Sequence, residues 1–217
     1  MFESKLPPIE APASYPLAGS RFAWRAPVVF DASVQALALL GEGICLHVLT
    51  DEQRKDPQQL LSYFAAEQID WVDTTPSLSE VLLEQCAAGQ ALPNQLIGGE
   101  AIRVELWRNL VAHNSRHNRV AYNLYGPTEC TVNSSACLIT GERPQLGAPL
   151  GGVSLYVLDD ALQAVPVGAR RSRRRACTRT GCRRRSRSGW CRCSTSGRRA
   201  RRAWCGSATR RDRSRWT

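Results

Sequence analysis

The chain has 217 residues, 43% hydrophobic and 22% charged, with 29 Lys+Arg against 19 Asp+Glu for a formal net charge of +10, which suits one ordinary domain with a packed core or one domain plus an appendage. No apolar run approaches the roughly 20 residues of a membrane span. The opening Met1-Phe2-Glu3-Ser4-Lys5-Leu6-Pro7-Pro8 lacks a basic stretch followed by an apolar one, which excludes a secretory signal and points to the cytoplasm, with reduced thiols.

Residues 1–19 read as an irregular N-terminal segment. Residues 33–40 form an apolar helical stretch ending at Gly41, and 44–49 read as a buried strand. Asp56-Pro57 opens the next helix, with Leu60, Leu61, Phe64 and Ala65 spaced at i, i+3, i+4. A short strand over 69–73 leads to Thr75-Pro76-Ser77, which starts a helix carrying Leu78, Val81, Leu82 and Leu83 and closing near Gly89. Strand 94–97 breaks at Gly98-Gly99, helix 102–113 is amphipathic, and 120–125 is a strand. Strands and helices in strict turn predict an α/β fold, with βαβ units and a parallel sheet over 20–135. After Thr131 the helices stop: 131–140 leans to β, 147–152 is a turn and 153–159 a strand. Residues 136–169 therefore read as the start of a small β subdomain.

At residue 170 the composition breaks. Residues 1–169 hold 10 Lys+Arg against 18 acids, a balance of −8, while 170–217 hold 19 Arg against Asp212 alone, a balance of +18. The mean positive charge is thus no evidence that the folded part binds nucleic acid. The 170–217 tail contains no Leu, Ile, Val, Met, Phe or Tyr, so it cannot bury enough apolar surface to offset chain entropy and is expected to be disordered. Five cysteines and three tryptophans fall in it, and every basic residue is Arg. That vocabulary is what G- and C-rich codons yield when read out of register, and it predicts a frame change close to 168–170. The alternative is a basic arm with interleaved Trp that contacts RNA or DNA through phosphates and stacking. Its cysteine spacings, Cys177-x4-Cys182 and Cys191-x-Cys193, do not suit a tetrahedral zinc site.

In open parallel sheets ligands bind outside the carboxyl ends of the strands. The unusual residues collect there: Asp73-Thr74-Thr75, Gly98-Gly99-Glu100, and Tyr125-Gly126-Pro127-Thr128-Glu129. Backbone reached through glycines, one ring, hydroxyls and carboxylates suits a nucleotide with a metal ion. Taken singly, each residue has a plainer reading: Asp31 as a helix N-terminal acid, Glu129 as a turn acid, Tyr125 as core. His47, His113 and His117 have no ligand partners at metal spacing, and Cys45, Cys86, Cys130 and Cys137 read as small buried or semi-buried residues.

Asn123-Leu124-Tyr125-Gly126-Pro127-Thr128-Glu129 resembles the N-x-Y-G-P-T-E signature of the amino-acid adenylation domains of nonribosomal peptide synthetases. Phe30-Asp31-Ala32-Ser33 matches that family's F-D-x-S, Gly99-Glu100-Ala101 its G-E-A, and Gly147-Ala148-Pro149 its G-x-P, in the right order. Tyr156-Val157-Leu158-Asp159 and Val165-Pro166-Val167-Gly168 resemble the strand and turn that follow. The resemblance implies ATP and Mg2+ as cofactors, an amino acid as substrate and a carrier-protein domain as partner. It assigns Tyr125 to stack on adenine, Asn123 and the Leu124 carbonyl to its amino edge, and the backbone at Gly99, Glu100 and Ala101 to the other side of the base. Gly126 lies within this nucleotide segment. Thr128 would bond the α-phosphate and Glu129 would hold Mg2+, these two being the catalytic pair. Asp31 would pair with the α-ammonium group. Matching positions make Asp31, Ala32, Gln35, Asp73, Leu96, Gly98, Leu124, Val132 and Asn133 the substrate-pocket walls. The polar Gln35, Asp73 and Asn133 favour glutamine or glutamate, and an ionised Asp73 would prefer glutamine's amide.

Two of the family's parts have no counterpart here. No Ser/Thr/Gly-rich loop ending in P-K-G precedes Phe30, and the only lysines, Lys5 and Lys55, lie in no matching context. The expectation is a middle piece of an adenylation domain, inactive by itself. Nucleic-acid binding through the tail, or non-catalytic nucleotide binding, are the alternatives.

Overall fold

The computed structural model describes residues 18–158, except 88 and 131, and the backbone of three short strands beyond them (Arg175–Thr180, Cys191–Arg192 and Trp204–Cys205). The expected irregular N-terminal segment and the Arg-rich tail thus lie largely outside the described residues.

Strand β1 (Arg21–Trp24) is followed by α1 (Ser33–Gly41), β2 (Cys45–Val48), α2 (Asp51–Lys55), α3 (Pro57–Ala66), β3 (Trp71–Thr74) and α4 (Pro76–Gln85). Then come β4 (Asn94–Ile97), α5 (Val104–His117), β5 (Ala121–Tyr125), a 3-10 turn (Thr128–Cys130), β6 (Ser135–Leu138), β7 (Ala148–Pro149) and β8 (Val153–Leu158). The helix starts are chemically marked. Thr50 and Gln53 form a capping box on α2, and Asp56 Oδ1 accepts the Gln58 N–H at 2.9 Å with Pro57 in the first turn of α3. Thr75 Oγ1 caps α4 by accepting the Leu78 N–H at 3.4 Å. Helix α5 ends on Asn118 in the left-handed region (φ 50°), which a short polar side chain tolerates. It runs four residues past the expected His113.

One sheet has the order β2-β1-β3-β4-β5-β6-β7. The first five strands are parallel, as the alternation predicts, and β6 and β7 continue the sheet antiparallel. The segment expected to open a separate β subdomain therefore begins inside the main sheet, while β8 pairs with 175–180 in a two-stranded sheet. Two expectations are corrected. Strand β2 is an edge strand with Cys45 and Val48 exposed, not a buried strand, because β1 takes the inner place between β2 and β3. Cys45 is accordingly an exposed thiol rather than a semi-buried one.

The two sheet faces carry separate cores. On one face Phe22, Trp71, Leu96, Tyr122 and Leu124 pack under Ala36 and Leu39 of α1, with the Trp71 and Tyr122 rings stacked at 6.3 Å. On the other, Ala23 and Val72 meet Leu60, Leu61, Phe64 and Leu82 of α3 and α4, and Ile97 and Ala121 meet Leu106, Trp107 and Leu110 of α5. Helix α1 is apolar on both sides: Val34, Leu37 and Leu40 are about half exposed, beside the exposed Val28-Val29-Phe30 loop. A helix apolar all round is one made for burial on all sides, and the sheet covers only one.

On α5, His113 Nε2 accepts the Leu92 N–H at 3.2 Å, and its ring lies 4.5 Å from that of His117. Burial, and then the positive potential of His117, Arg116 and Arg119, lowers its pKa from 6.5 to about 4. Between those two values the unfolded chain binds a proton that the folded chain refuses, so stability falls as pH drops from 6.5 towards 4 and this contribution levels off below. Because the ring is partly solvated, the loss should be about 1–2 kcal/mol rather than the full linkage value. Unfolding free energies from urea titrations at pH 7 and pH 4.5 should differ by that amount in the wild type and converge in His113→Gln.

Candidate functional site

The parallel register brings the motif-bearing loops to one rim. Asp73 pairs with Leu96, and Ile97 with Asn123, so the carboxyl ends of β3, β4 and β5 lie side by side. The loop after β1 joins them, carrying Asp31 and Ala32 into the start of α1. Side chains alternate across a strand, which divides the predicted residues into two groups. Asp73 shares the α1 face with Trp71, as do Leu96 and Leu124. Asn123 and Tyr125 alternate with Leu124 and so share the α5 face with Ala121.

On the α1 side the predicted pocket walls gather. Leu96 and Leu124 form an apolar floor, and Gly98 lies so close that a Cβ there would stand 3.3 Å from the Leu124 carbonyl. Across 98 residues of sequence, Asn133 Nδ2 donates to Gln35 Oε1 at 3.1 Å, tying α1 to the loop between β5 and β6. In that loop Val132 takes the left-handed region (φ 68°), uncommon for a β-branched residue. Asp73, expected as a polar wall, also has structural partners. Its Oδ1 accepts the Arg25 N–H at 2.7 Å and its Oδ2 the Ala26 N–H at 2.9 Å, so the carboxylate holds the exit of β1 in place. Burial pushes its pKa up, against the opposing pull of those two donors and of Arg25. Asp31 is half-buried and Ala32 exposed at the head of α1.

On the α5 side the strand exits are fixed by close backbone packing. Gly126 follows Tyr125 where any Cβ would meet the Val132 carbonyl oxygen at 2.4 Å and Ser134 N at 2.7 Å. Ser134 N–H donates to the Tyr125 carbonyl at 2.7 Å, and Cys130 N–H to that of Pro127 at 2.8 Å. Thr128 and Glu129 stand exposed on the resulting 3-10 turn. Asn123 Nδ2 donates to the Gln145 carbonyl at 2.8 Å; a carbonyl partner demands the N–H end of the amide, which leaves Oδ1 as the end suited to an amino-group donor. Gly99 has φ +87° with open space where a Cβ would stand, and Glu100 and Ala101 beside it are exposed.

This set fits a nucleotide with a divalent ion. Open backbone at Gly99, an amide acceptor at Asn123 and an exposed hydroxyl and carboxylate on one turn are matched to base, phosphate and cation in chemistry. Among the described residues no three His, Cys, Asp or Glu side chains gather into a cage for a metal. The exposed Glu129 carboxylate offers the hard oxygen ligand that Mg2+ takes alongside phosphate oxygens and water. Sequence reasoning missed Ser77 and Glu80, which bind the 98–103 loop from α4; no local pattern marks them, because their partners Glu100 and Arg103 lie 23 residues further along the chain. Among the described residues no helix is long and apolar enough to cross a membrane.

Comparison with known proteins gives a consistent answer. The family model described as AMP-binding enzyme matches residues 8–170, ending where the Arg-rich composition begins. The dapdiamide synthesis protein DdaD of Enterobacter agglomerans is 40% identical over 136 residues, covering 60% of this chain and 22% of that protein. The AMB antimetabolite synthetase AmbE of Pseudomonas aeruginosa is 40% identical over 145 residues, 65% of this chain and 7% of that one. The chain thus spans about a fifth or less of these relatives. Among solved structures, holo-AB3403, a four-domain nonribosomal peptide synthetase bound to AMP and glycine, aligns with a TM-score of 0.62 at 34% identity, covering 69% of this chain and 11% of that one. Holo-PA1221, a nonribosomal peptide synthetase protein containing adenylation and PCP domains bound to a vinylsulfonamide inhibitor, aligns at 0.59 and 28% identity, over 72% of this chain and 28% of that one.

Proposed function

The chain belongs to the AMP-binding enzyme family, and from that premise we propose that its rim is the nucleotide- and amino-acid-binding part of an adenylation site of nonribosomal peptide synthesis. The observation that carries the reading is the adjacency of the Asn123–Glu129 signature, the Gly98–Ala101 loop and the Asp73 strand end at the carboxyl rim of three neighbouring parallel strands.

In this reading the Tyr125 ring packs on the base, and Asn123 Oδ1 and the Leu124 carbonyl accept from its amino edge. Gly99, Glu100 and Ala101 supply backbone along the other side. Thr128 orients the α-phosphate by a hydrogen bond, and Glu129 holds the cation beside it. Asp31 fixes the α-ammonium group of the amino acid and so aims its carboxylate. Bound ATP with Mg2+ supplies the electrophilic α-phosphorus and the pyrophosphate leaving group. These residues contribute by positioning and by neutralising charge, with no protein nucleophile.

A carboxamide side chain suits the pocket. The Gln35–Asn133 bond uses one acceptor of Gln35 and one donor of Asn133. Gln35 Nε2 then remains to donate, and Asn133 Oδ1 to accept, the complement of an amide C=O and NH2. This favours glutamine over glutamate and over an aliphatic residue, whose burial would leave those groups unpaired. A carrier-protein domain is the partner that takes the activated residue onward, and the cytoplasm, where ATP is plentiful, is the setting.

The test is equilibrium binding of non-hydrolysable aminoacyl-adenylate analogues to the full chain. The glutaminyl analogue should bind at least tenfold tighter than the leucyl one, and Glu129→Gln should weaken binding only when Mg2+ is present. Equal affinity for both analogues overturns the substrate assignment; no saturable binding of either overturns the site.

A further inference from the structure

The loop that would line the base, residues 98–101, has little to hold it by itself. It contains two adjacent glycines, one at φ +87°, and among the described residues its backbone is tied by the Gly98 N–H to the Thr74 carbonyl at 3.1 Å. Glycine pairs of this kind have wide conformational freedom. Helix α4 lies beside the loop and grips it twice. Ser77 Oγ hydrogen-bonds the Glu100 carboxylate, and Glu80 accepts from Arg103 Nη2 with both carboxylate oxygens, Oε1 at 2.6 Å. Ser77 and Glu80 are three apart on α4 and so share a face, and their partners are likewise three apart on the loop. Ile102, between those partners, is buried in the α5 core. The segment is thus fastened from below by an apolar side chain and from the side by two polar contacts.

We propose that Ser77 and Glu80 are positioning residues, which set the backbone of Gly99, Glu100 and Ala101 for the nucleotide by clamping Glu100 and Arg103 to α4. The proposal rests on the adenylate-site reading above. It goes beyond it in assigning the order of the loop to a helix outside the residues assigned to the nucleotide. Ser77 is the more important of the two, because its partner immediately follows Gly99. Ser77 and Glu100 are exposed and Arg103 is 68% exposed, so solvent weakens the Ser77–Glu100 bond as much as it does the Glu80–Arg103 pair. The role of the Glu80–Arg103 pair is to stop the far end of the loop from sliding.

Amide hydrogen exchange and AMP affinity, both measured on the full chain, test this. Ser77→Ala should speed exchange selectively at 98–103 and weaken AMP binding roughly fivefold, the worth of one ordinary hydrogen bond. Ser77→Thr, which keeps the hydroxyl, should restore both. Glu80→Arg and Arg103→Glu should each loosen the loop, and the double exchange should recover it. Unchanged exchange in Ser77→Ala, or no rescue by threonine, overturns the clamp. Faster exchange with unaltered AMP affinity overturns the positioning role. Failure of the wild type to bind AMP instead overturns the underlying nucleotide reading, while exchange still reports separately on the clamp.

Discussion

Gly126→Ala should destabilise the chain by about 2–3 kcal/mol, and Gly147→Ala by about 3 kcal/mol or more, since inserted atoms in a closed space force backbone shifts. At Gly126 the new Cβ would stand 2.4 Å from the Val132 carbonyl oxygen and 2.7 Å from both Asn133 Cα and Ser134 N. All three are backbone atoms, and none can rotate away as a side chain could. At Gly147 the contacts are closer still, 2.0 Å to the Ala136 carbonyl oxygen, and φ is +74°, where an L side chain adds strain of its own. The consequences differ. Gly147 secures the join between β6 and β7, so its replacement should lower the urea midpoint with little change at the rim. Gly126 lies between Tyr125 and the Thr128–Cys130 turn, and the shift it forces should also displace Val132 and Asn133. Gly126→Ala should therefore lose affinity for an aminoacyl-adenylate analogue even at temperatures where it is fully folded, whereas Gly147→Ala, once folded, should retain it. Equal midpoints for wild type and both variants would contradict this close backbone packing.

Trp107→Ala is expected to cost about 3–5 kcal/mol, the range for emptying an aromatic site in a closed core. Trp107 is fully buried among Ile97, Leu106, Leu110, Ala121 and Ile139. Its Nε1 also donates to the Thr140 carbonyl at 3.1 Å, a bond from α5 to the segment just after β6. Trp107→Phe separates the two contributions. It keeps most of the apolar contact but removes the donor, and should cost about 1–2 kcal/mol. Chemical denaturation of the two variants beside the wild type gives both values. A midpoint for Trp107→Ala no lower than that for Trp107→Phe would mean that the α5 core does not stabilise this sheet.

Much of the local structure was legible from short-range pattern. The Asp56-Pro57 and Thr75-Pro76 pairs marked the starts of α3 and α4 because a capping oxygen and a preset proline φ act within one turn. The end of α5 was less legible. Arg116 and His117 read as polar, yet they continue the helix until Asn118 turns it off in the left-handed region. Strand β1 escaped notice because four residues, Arg21 to Trp24, are too few to show a period. The short helix α2 escaped it too, since it buries no residue and rests on its capping box. Asp73 illustrates a different limit: its position at a strand end was visible, but not that both its oxygens would be taken by the backbone of a segment 47 and 48 residues earlier.

The amino-acid order alone determined the alternation of strands and helices, and with it the collection of the Gly98–Ala101 and Asn123–Glu129 loops at strand carboxyl ends, because periodicity and turn chemistry operate over a few residues. It also determined the family, through motifs whose spacing survives in one dimension. Tertiary structure alone decided that β1 is an inner strand and β2 an edge, that Gln35 meets Asn133, and that α4 grips the loop beside Gly99. Those contacts join residues 23 to 98 positions apart. They are set by which strands pair and which faces they bury, a competition among the elements of the whole sheet that no local window of sequence contains.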